Sequence, residues 1–174
     1  MLMNDDRIQC RVVVLPDSTR INQAIGSEFT ALWDDPGLKR SHYFAGRYEN
    51  LYVPEQRLPS LAPVLAAGRK GAAEYLGQPG LALSASFWMN AMGPGHVTLP
   101  HSHDEDDELV SGVYYISVPP DSGELILQQG LIHTRVAPVE GEFVFFPPDI
   151  VHEVSENRSQ QLRLSVGMNF GVRE

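Results

Sequence analysis

Leu162-Arg163-Leu164-Ser165-Val166-Gly167-Met168-Asn169-Phe170 is the stretch on which the fold turns. Leu162, Leu164, Val166, Met168 and Phe170 alternate with Arg163, Ser165, Gly167 and Asn169. Successive side chains of a β-strand point to opposite faces, so this segment is a strand with one apolar and one polar face. The apolar face belongs against a packed layer, here the helices, and the polar face belongs on a cavity. Arg163 therefore points inward. An unpaired buried guanidinium is costly, so it must meet an anion.

Upstream, short runs rich in Val, Ile, Leu, Phe and Tyr recur at residues 83–92, 96–103, 109–117, 124–128, 131–136, 142–146 and 150–154, before the run at 161–170. Turn signals such as Gly93-Pro94-Gly95, Pro119-Pro120-Asp121-Ser122-Gly123 and Glu140-Gly141 separate them. Strands at this even spacing predict a double-sheet jelly roll or a barrel. The pattern before residue 82 is different. A strand is expected at about residues 8–15, followed by a turn and N-cap at Pro16-Asp17-Ser18. Ile21, Ile25, Phe29, Leu32 and Trp33 recur at helical spacing, predicting a helix over 19–34 that Asp34-Asp35-Pro36-Gly37 ends. Residues 41–54 are read as irregular, with one strand at 50–53. A second helix is expected over 60–76, stopped by Gly77. The predicted architecture is mainly β, with two N-terminal helices packed on one sheet. A chain of 174 residues is the usual size of one domain. It divides into an N-terminal strand and helices (1–81) and a β core (82–172).

Composition excludes several function classes. With 13 Lys and Arg against 22 Asp and Glu, the formal charge is -9, which argues against a nucleic-acid partner. No segment approaches the ~20 apolar residues of a membrane span. The N-terminus lacks an apolar signal core. The single cysteine, Cys10, permits no intrachain disulfide and is read as a buried, inert thiol. A lone thiol fits a reducing compartment, so a cytoplasmic location is expected.

The chemistry lies in the histidines. His101 and His103, at i and i+2 of one strand, aim at one point. A third imidazole, His152, follows an element that runs Gly141, Pro147, Asp149, His152. Three side-chain ligands on one side of a metal leave positions open for a chelating cosubstrate and oxygen, the arrangement of non-haem iron oxygenases, although imidazoles also suit zinc, copper or nickel. Arg163 would hold a carboxylate of the cosubstrate in a fork. His96 is read as structural or surface, and His42 and His133 receive no role. The acidic run Asp104-Glu105-Asp106-Asp107-Glu108 leaves two alternatives open, because Glu105 completes a His-x-acid triplet and Glu108 stands where a cupin places a carboxylate.

Gly141 to His152 resembles the second cupin signature, and Gly95 with His101-Ser102-His103 resembles part of the first. A closer resemblance covers residues 83–172. Trp88-Met89-Asn90, Gly95, Pro100-His101-Ser102-His103, Ser111-Gly112-Val113-Tyr114-Tyr115-Ile116, Gly141 to His152 and Arg163-Leu164-Ser165-Val166-Gly167-Met168-Asn169-Phe170 occur in the order and spacing of a bacterial and phage group of 2-oxoglutarate- and iron(II)-dependent oxygenases. The resemblance implies a cupin-like double-stranded β-helix, iron(II) held by His101, His103 and His152, and 2-oxoglutarate as cosubstrate. It implies that Arg163 and Ser165 bind the distal carboxylate, with Asn90 in the same site. Similarity of residues 110–116 to a strand of the prolyl hydroxylases adds Tyr115. The loop between His103 and Ser111 is longer and more acidic than in the group, and sliding the alignment there would make His103 and Glu105 the ligand pair.

The implied activity is oxidation of a C–H bond of a small-molecule or peptide substrate by O2, with decarboxylation of 2-oxoglutarate to succinate. A homodimer is compatible with this reading. The aromatic stretch with Tyr43, Phe44, Arg47, Tyr48 and Tyr52 either lines the substrate mouth or serves packing. The alternative from another class is a cupin-type dioxygenase, isomerase or binding protein that uses no 2-oxoglutarate.

Overall fold

A computed structural model describes residues 8–103 and 107–172. The chain runs β1 (Arg11–Val14), α1 (Ser18–Leu32), β2 (Lys39–Phe44), β3 (Arg47–Tyr52), short 3-10 turns at Glu55–Arg57 and Pro59–Leu61, and α2 (Ala62–Tyr75). It continues as β4 (Leu83–Met92), β5 (Thr98–His101), β6 (Val110–Ser117), β7 (Leu125–Gln129), β8 (Ile132–Val136), β9 (Glu142–Phe146), β10 (Val151–Val154) and β11 (Arg163–Val172). Two antiparallel sheets form the jelly roll. The major sheet has the order β1-β9-β6-β11-β4-β3-β2, and the minor sheet has the order β5-β10-β7-β8.

Alternation in the central strands divides the interior into two layers. Leu164, Val166, Met168 and Phe170 of β11 and Phe143 and Phe145 of β9 pack with Ile25 and Phe29 of α1 and Val64, Leu65 and Ala72 of α2. The opposite faces supply Val144, Phe146 and Tyr115, which meet Leu125 and Leu127 of the minor sheet. The expected outward packing of both helices on one sheet is therefore observed. Helix α2 approaches closely because it carries Gly71, where a Cβ would stand 2.7 Å from the Phe145 ring. Gly77 closes that helix with φ of 70°, donating its N–H to Glu74 O at 3.0 Å, while Gln78 N–H reaches Ala73 O at 2.9 Å.

Three local expectations are corrected. Asp17 precedes α1 in a left-handed conformation without capping it, and its carboxylate instead accepts from Arg20 Nε at 2.8 Å. Cys10 is half-buried rather than fully buried, and desolvation raises its pKa. Residues 41–54 are not irregular: β2 and β3 form a hairpin around Ala45 (φ 48°) and Gly46 (φ 80°). Positive φ at both loop residues matches the twist of the flanking strands. The hairpin sits on the edge of the major sheet and lacks a clean apolar alternation. The sequence signal was therefore weak.

The segment between β10 and β11 is fastened by Asn157, which is fully buried. Its Nδ2 donates to Met92 O (2.8 Å) and Gln161 O (2.9 Å), and its Oδ1 accepts from Ser159 N–H (3.0 Å) and Ser159 Oγ (2.7 Å). Asn157→Ala strands these groups without partners and is expected to lower stability by about 2–3 kcal/mol. Urea denaturation checks this, with a lower midpoint at unchanged m-value as the expected result.

Candidate functional site

At one end of the jelly roll a cavity lies between the sheets, lined by His101, His103, His152, Tyr115, Asn90, Arg163, Ser165 and Trp88 among others. All of those named except His103 stand on paired strands. His101 of β5 lies opposite His152 of β10 in the minor sheet, where the ladder shifts register between His152 and Val154. Such an irregularity re-aims a side chain. Strand β5 is an edge strand, which tolerates Pro100 with its missing N–H. His103 follows β5 and is held by its backbone N–H on Pro148 O at 2.8 Å.

The ligand atoms of His101, His103 and His152 lie within 4.8 Å of one another. His101 Nδ1 lies 2.8 Å from Leu99 O, and His152 Nδ1 lies 3.0 Å from Ile150 O. A carbonyl only accepts, so both Nδ1 atoms carry the proton and both Nε2 lone pairs are free. Backbone orientation of this kind is typical of metal-binding histidines. Burial, followed by the neighbouring imidazoles, pulls the pKa of His103 down to about 4 and that of His152 to about 3. Both rings are thus neutral at pH 7, the form a metal needs. Glu108 does not join this cluster and faces a separate pocket with Ser84, Ser86 and Asn169. Glu105 lies outside the described residues. His96 accepts the Gly93 N–H at 2.9 Å in a turn, and His133 is exposed on β8.

The second group sits on three neighbouring strands. Ser165 of β11 pairs with Tyr115 of β6 on one side and with Asn90 of β4 on the other, so the three form one row across the sheet. Arg163 stands next along β11 and is 1% exposed. Its Nη1 reaches only Ser165 Oγ at 3.4 Å and Met92 Sδ at 3.6 Å, while Nε and Nη2 have no partner. Its guanidinium carbon lies 5.3 Å from the centroid of the Tyr115 ring. Among the described residues no carboxylate pairs with it. Tyr115 Oη and Asn90 Oδ1 are likewise buried without partners. Burial pushes the Tyr115 phenol up to about 12, so it keeps its proton for donation. Buried cation, free donors and neutral imidazoles thus face one cavity. A small dicarboxylate spanning metal and guanidinium would satisfy every orphaned donor.

Trp88 forms a wall of this cavity. It faces Gly167, where a Cβ would fall 2.4 Å from the indole, and its ring lies 5.3 Å from that of His103. Phe146 backs His152 at 4.9 Å between centroids. Met92 and Phe146 carried no sequence signal beyond apolarity. Outside the cavity a cleft of about 710 Å³ opens along the β2–β3 hairpin and shares His101, His103 and Trp88 with it. Of the aromatic stretch, Tyr43, Phe44 and Tyr52 line this cleft, whereas Arg47 and Tyr48 line a different pocket.

No protein-family model matches the chain. No curated protein matches it either. Solved structures do match. A Pseudomonas putida prolyl-4-hydroxylase is 23% identical, with a TM-score of 0.74 over 95% of this chain and 93% of that one. The epimerase SnoN, in complex with Fe3+, alpha ketoglutarate and nogalamycin RO, is 15% identical, with a TM-score of 0.71 over 95% and 80%. An oxidoreductase of the 2OG-Fe(II) oxygenase family from Burkholderia pseudomallei is 17% identical, with a TM-score of 0.64 over 92% and 84%. The chain therefore shares its jelly-roll fold with these structures.

Proposed function

We propose that the protein is an iron(II)- and 2-oxoglutarate-dependent oxygenase acting on a small-molecule or peptide substrate. The observation that carries this reading is Arg163, a buried guanidinium with two nitrogens unpartnered among the described residues, lining one cavity with three converging imidazoles. Iron(II) and 2-oxoglutarate, when bound, supply the oxidation of a C–H bond by O2 with release of succinate and carbon dioxide.

In this reading His101, His103 and His152 would hold the metal, with the Nδ1 atoms of His101 and His152 engaged by the carbonyls of Leu99 and Ile150. Arg163 receives the distal carboxylate of the cosubstrate, and Ser165 and Tyr115 donate to it. Asn90 is braced by a bond from its Nδ2 to Thr98 Oγ1 at 3.3 Å, which leaves its Oδ1 facing the site. Trp88 and Phe146 keep water from the metal-facing side, where electrostatic interactions strengthen as water is excluded. Among the described residues no helix is long and apolar enough to cross a membrane, and a cytoplasmic location belongs to this reading.

Succinate release from 2-oxoglutarate tests the proposal. The full chain, supplied with iron(II), ascorbate and oxygen, is expected to form succinate, and 2-oxoglutarate is expected to bind the metal-loaded protein in calorimetry. Metal binding with no affinity for 2-oxoglutarate would instead support a cupin-type metal protein.

A further inference from the structure

Glu49 stands out in the outer cleft. It is 6% exposed, and it lines both the inner cavity and the cleft. Among the described residues it forms no ion pair, and it does not belong to the imidazole cluster. Arg47 feels its charge, but the Nη1 and Nη2 of Arg47 are committed to the carbonyls of Ala91 (3.1 Å) and Val97 (2.9 Å).

The hairpin geometry explains how a carboxylate comes to be there. β3 pairs with β4 only through Asn50 and Leu51, so Glu49, just before them, lies outside that ladder. On its other side the β2–β3 ladder passes over His42 and Glu49 between Ser41–Asn50 and Tyr43–Tyr48. At that point His42 has φ of 57°, a left-handed conformation in mid-strand, with its Nδ1 held by Ser41 Oγ at 2.8 Å. Backbone strain of this kind persists only where its surroundings enforce it, and it clusters at ligand sites. The cleft around Glu49 is lined by Tyr43, Tyr52, Trp88 and Leu99, of which Tyr43 and Leu99 are more than half exposed, and the Tyr52 ring already carries the Lys39 ammonium 5.2 Å from its centroid.

We propose that this cleft binds an organic cation, an ammonium or guanidinium on an apolar stem, with Glu49 receiving the charge and Tyr52 and Trp88 flanking the stem. It rests on the oxygenase reading only in taking that ligand to be the substrate. A buried carboxylate gains most from a charge-assisted donor, and aromatic faces attract cations electrostatically. The formal charge of -9 favours the approach of cations over anions.

The test is calorimetric titration of the full chain, with and without Mn(II) and 2-oxoglutarate. The probes are L-lysine, L-arginine and phenethylammonium, against their neutral counterparts norleucine, citrulline and 2-phenylethanol. At least one cation is expected to bind about ten- to a hundredfold more tightly than its counterpart, the range of a charge-assisted bond. The preference should decline with added salt. Glu49→Gln should erase it and Glu49→Asp should keep part of it, with metal and 2-oxoglutarate affinities unchanged. End-blocked tripeptides centred on Lys or Arg separate a peptide source from a free small molecule. Equal binding of cations and neutral counterparts by the wild type overturns the inference, whether or not the variants fold. So does a preference that survives in a folded Glu49→Gln. If 2-oxoglutarate binds and no cation is preferred, the oxygenase reading stands and this inference falls. A cation preference in a protein without affinity for 2-oxoglutarate gives the reverse.

Discussion

His152→Ala is expected to weaken iron(II) binding by at least about a hundredfold, since even the loss of an outer-shell partner costs ten- to a hundredfold, and to abolish succinate formation. The imidazole lies opposite His101 across the β5–β10 ladder, and its ring centroid is 4.2 Å from that of His101. No other described His, Cys, Asp or Glu joins the cluster to replace it. The fold should survive, because the ladder of β10 with β7 is made by the backbone. Metal content after dialysis, together with far-UV circular dichroism, measures both halves of the statement. A folded variant with full metal occupancy would place the metal elsewhere.

The same ring gives this experiment a pH signature. The folded pKa values of His103 and His152, about 4 and about 3, lie below the ~6.5 of a free imidazole. Between those values the unfolded chain binds more protons than the native one, so the stability of the metal-free protein falls as pH drops from about 6.5 toward 4. Above pH 6.5 these two groups contribute no slope. Removing His152 should flatten the acid limb of a plot of denaturation midpoint against pH. An unchanged limb would mean that His152 is not the desolvated neutral ring described above.

Arg163→Lys is expected to weaken 2-oxoglutarate binding by about ten- to a hundredfold while leaving iron affinity intact. Lysine keeps the charge but cannot present two parallel donors to a carboxylate. The site offers little compensation. Among the described residues the polar and ring contacts of the Arg163 guanidinium are Ser165 Oγ, Met92 Sδ and the Tyr115 ring, and none of them can take over a second parallel donor. Titration of 2-oxoglutarate into the iron-loaded proteins without oxygen reads the effect directly. Equal affinities in the two proteins would sink the cosubstrate role of Arg163 and favour the plain cupin reading.

Much of this site was legible along the chain because it depends on local periodicity. The alternation from Leu164 to Phe170 separates a core face from a cavity face whatever the neighbouring strands are, and it places Arg163 and Ser165 together. The i, i+2 strand argument for His101 and His103 holds only in part, because β5 ends at His101 and His103 reaches the cluster from beyond the strand, with its N–H on Pro148 O. The run 142–146 matches β9 residue for residue, since it alternates between two buried layers. The hairpin β2–β3 escaped because an edge pair with mixed polar and aromatic faces has no periodic signature, and its turn rests on Ala45, a residue that rarely adopts positive φ.

By itself, then, the sequence determined the strands of the β core, the facing of their side chains and the residue types that carry the chemistry. Only the tertiary structure decided which of them meet. His152 joins His101 because β10 pairs with β5, and Asn90, Ser165 and Tyr115 form one row because β11 lies between β4 and β6. Glu49 faces the cleft from just before Asn50 and Leu51, the two residues through which β3 pairs with β4. Each of these contacts is non-local. It is set by the register of paired strands and by the burial of their common face, and no window of neighbouring residues encodes either.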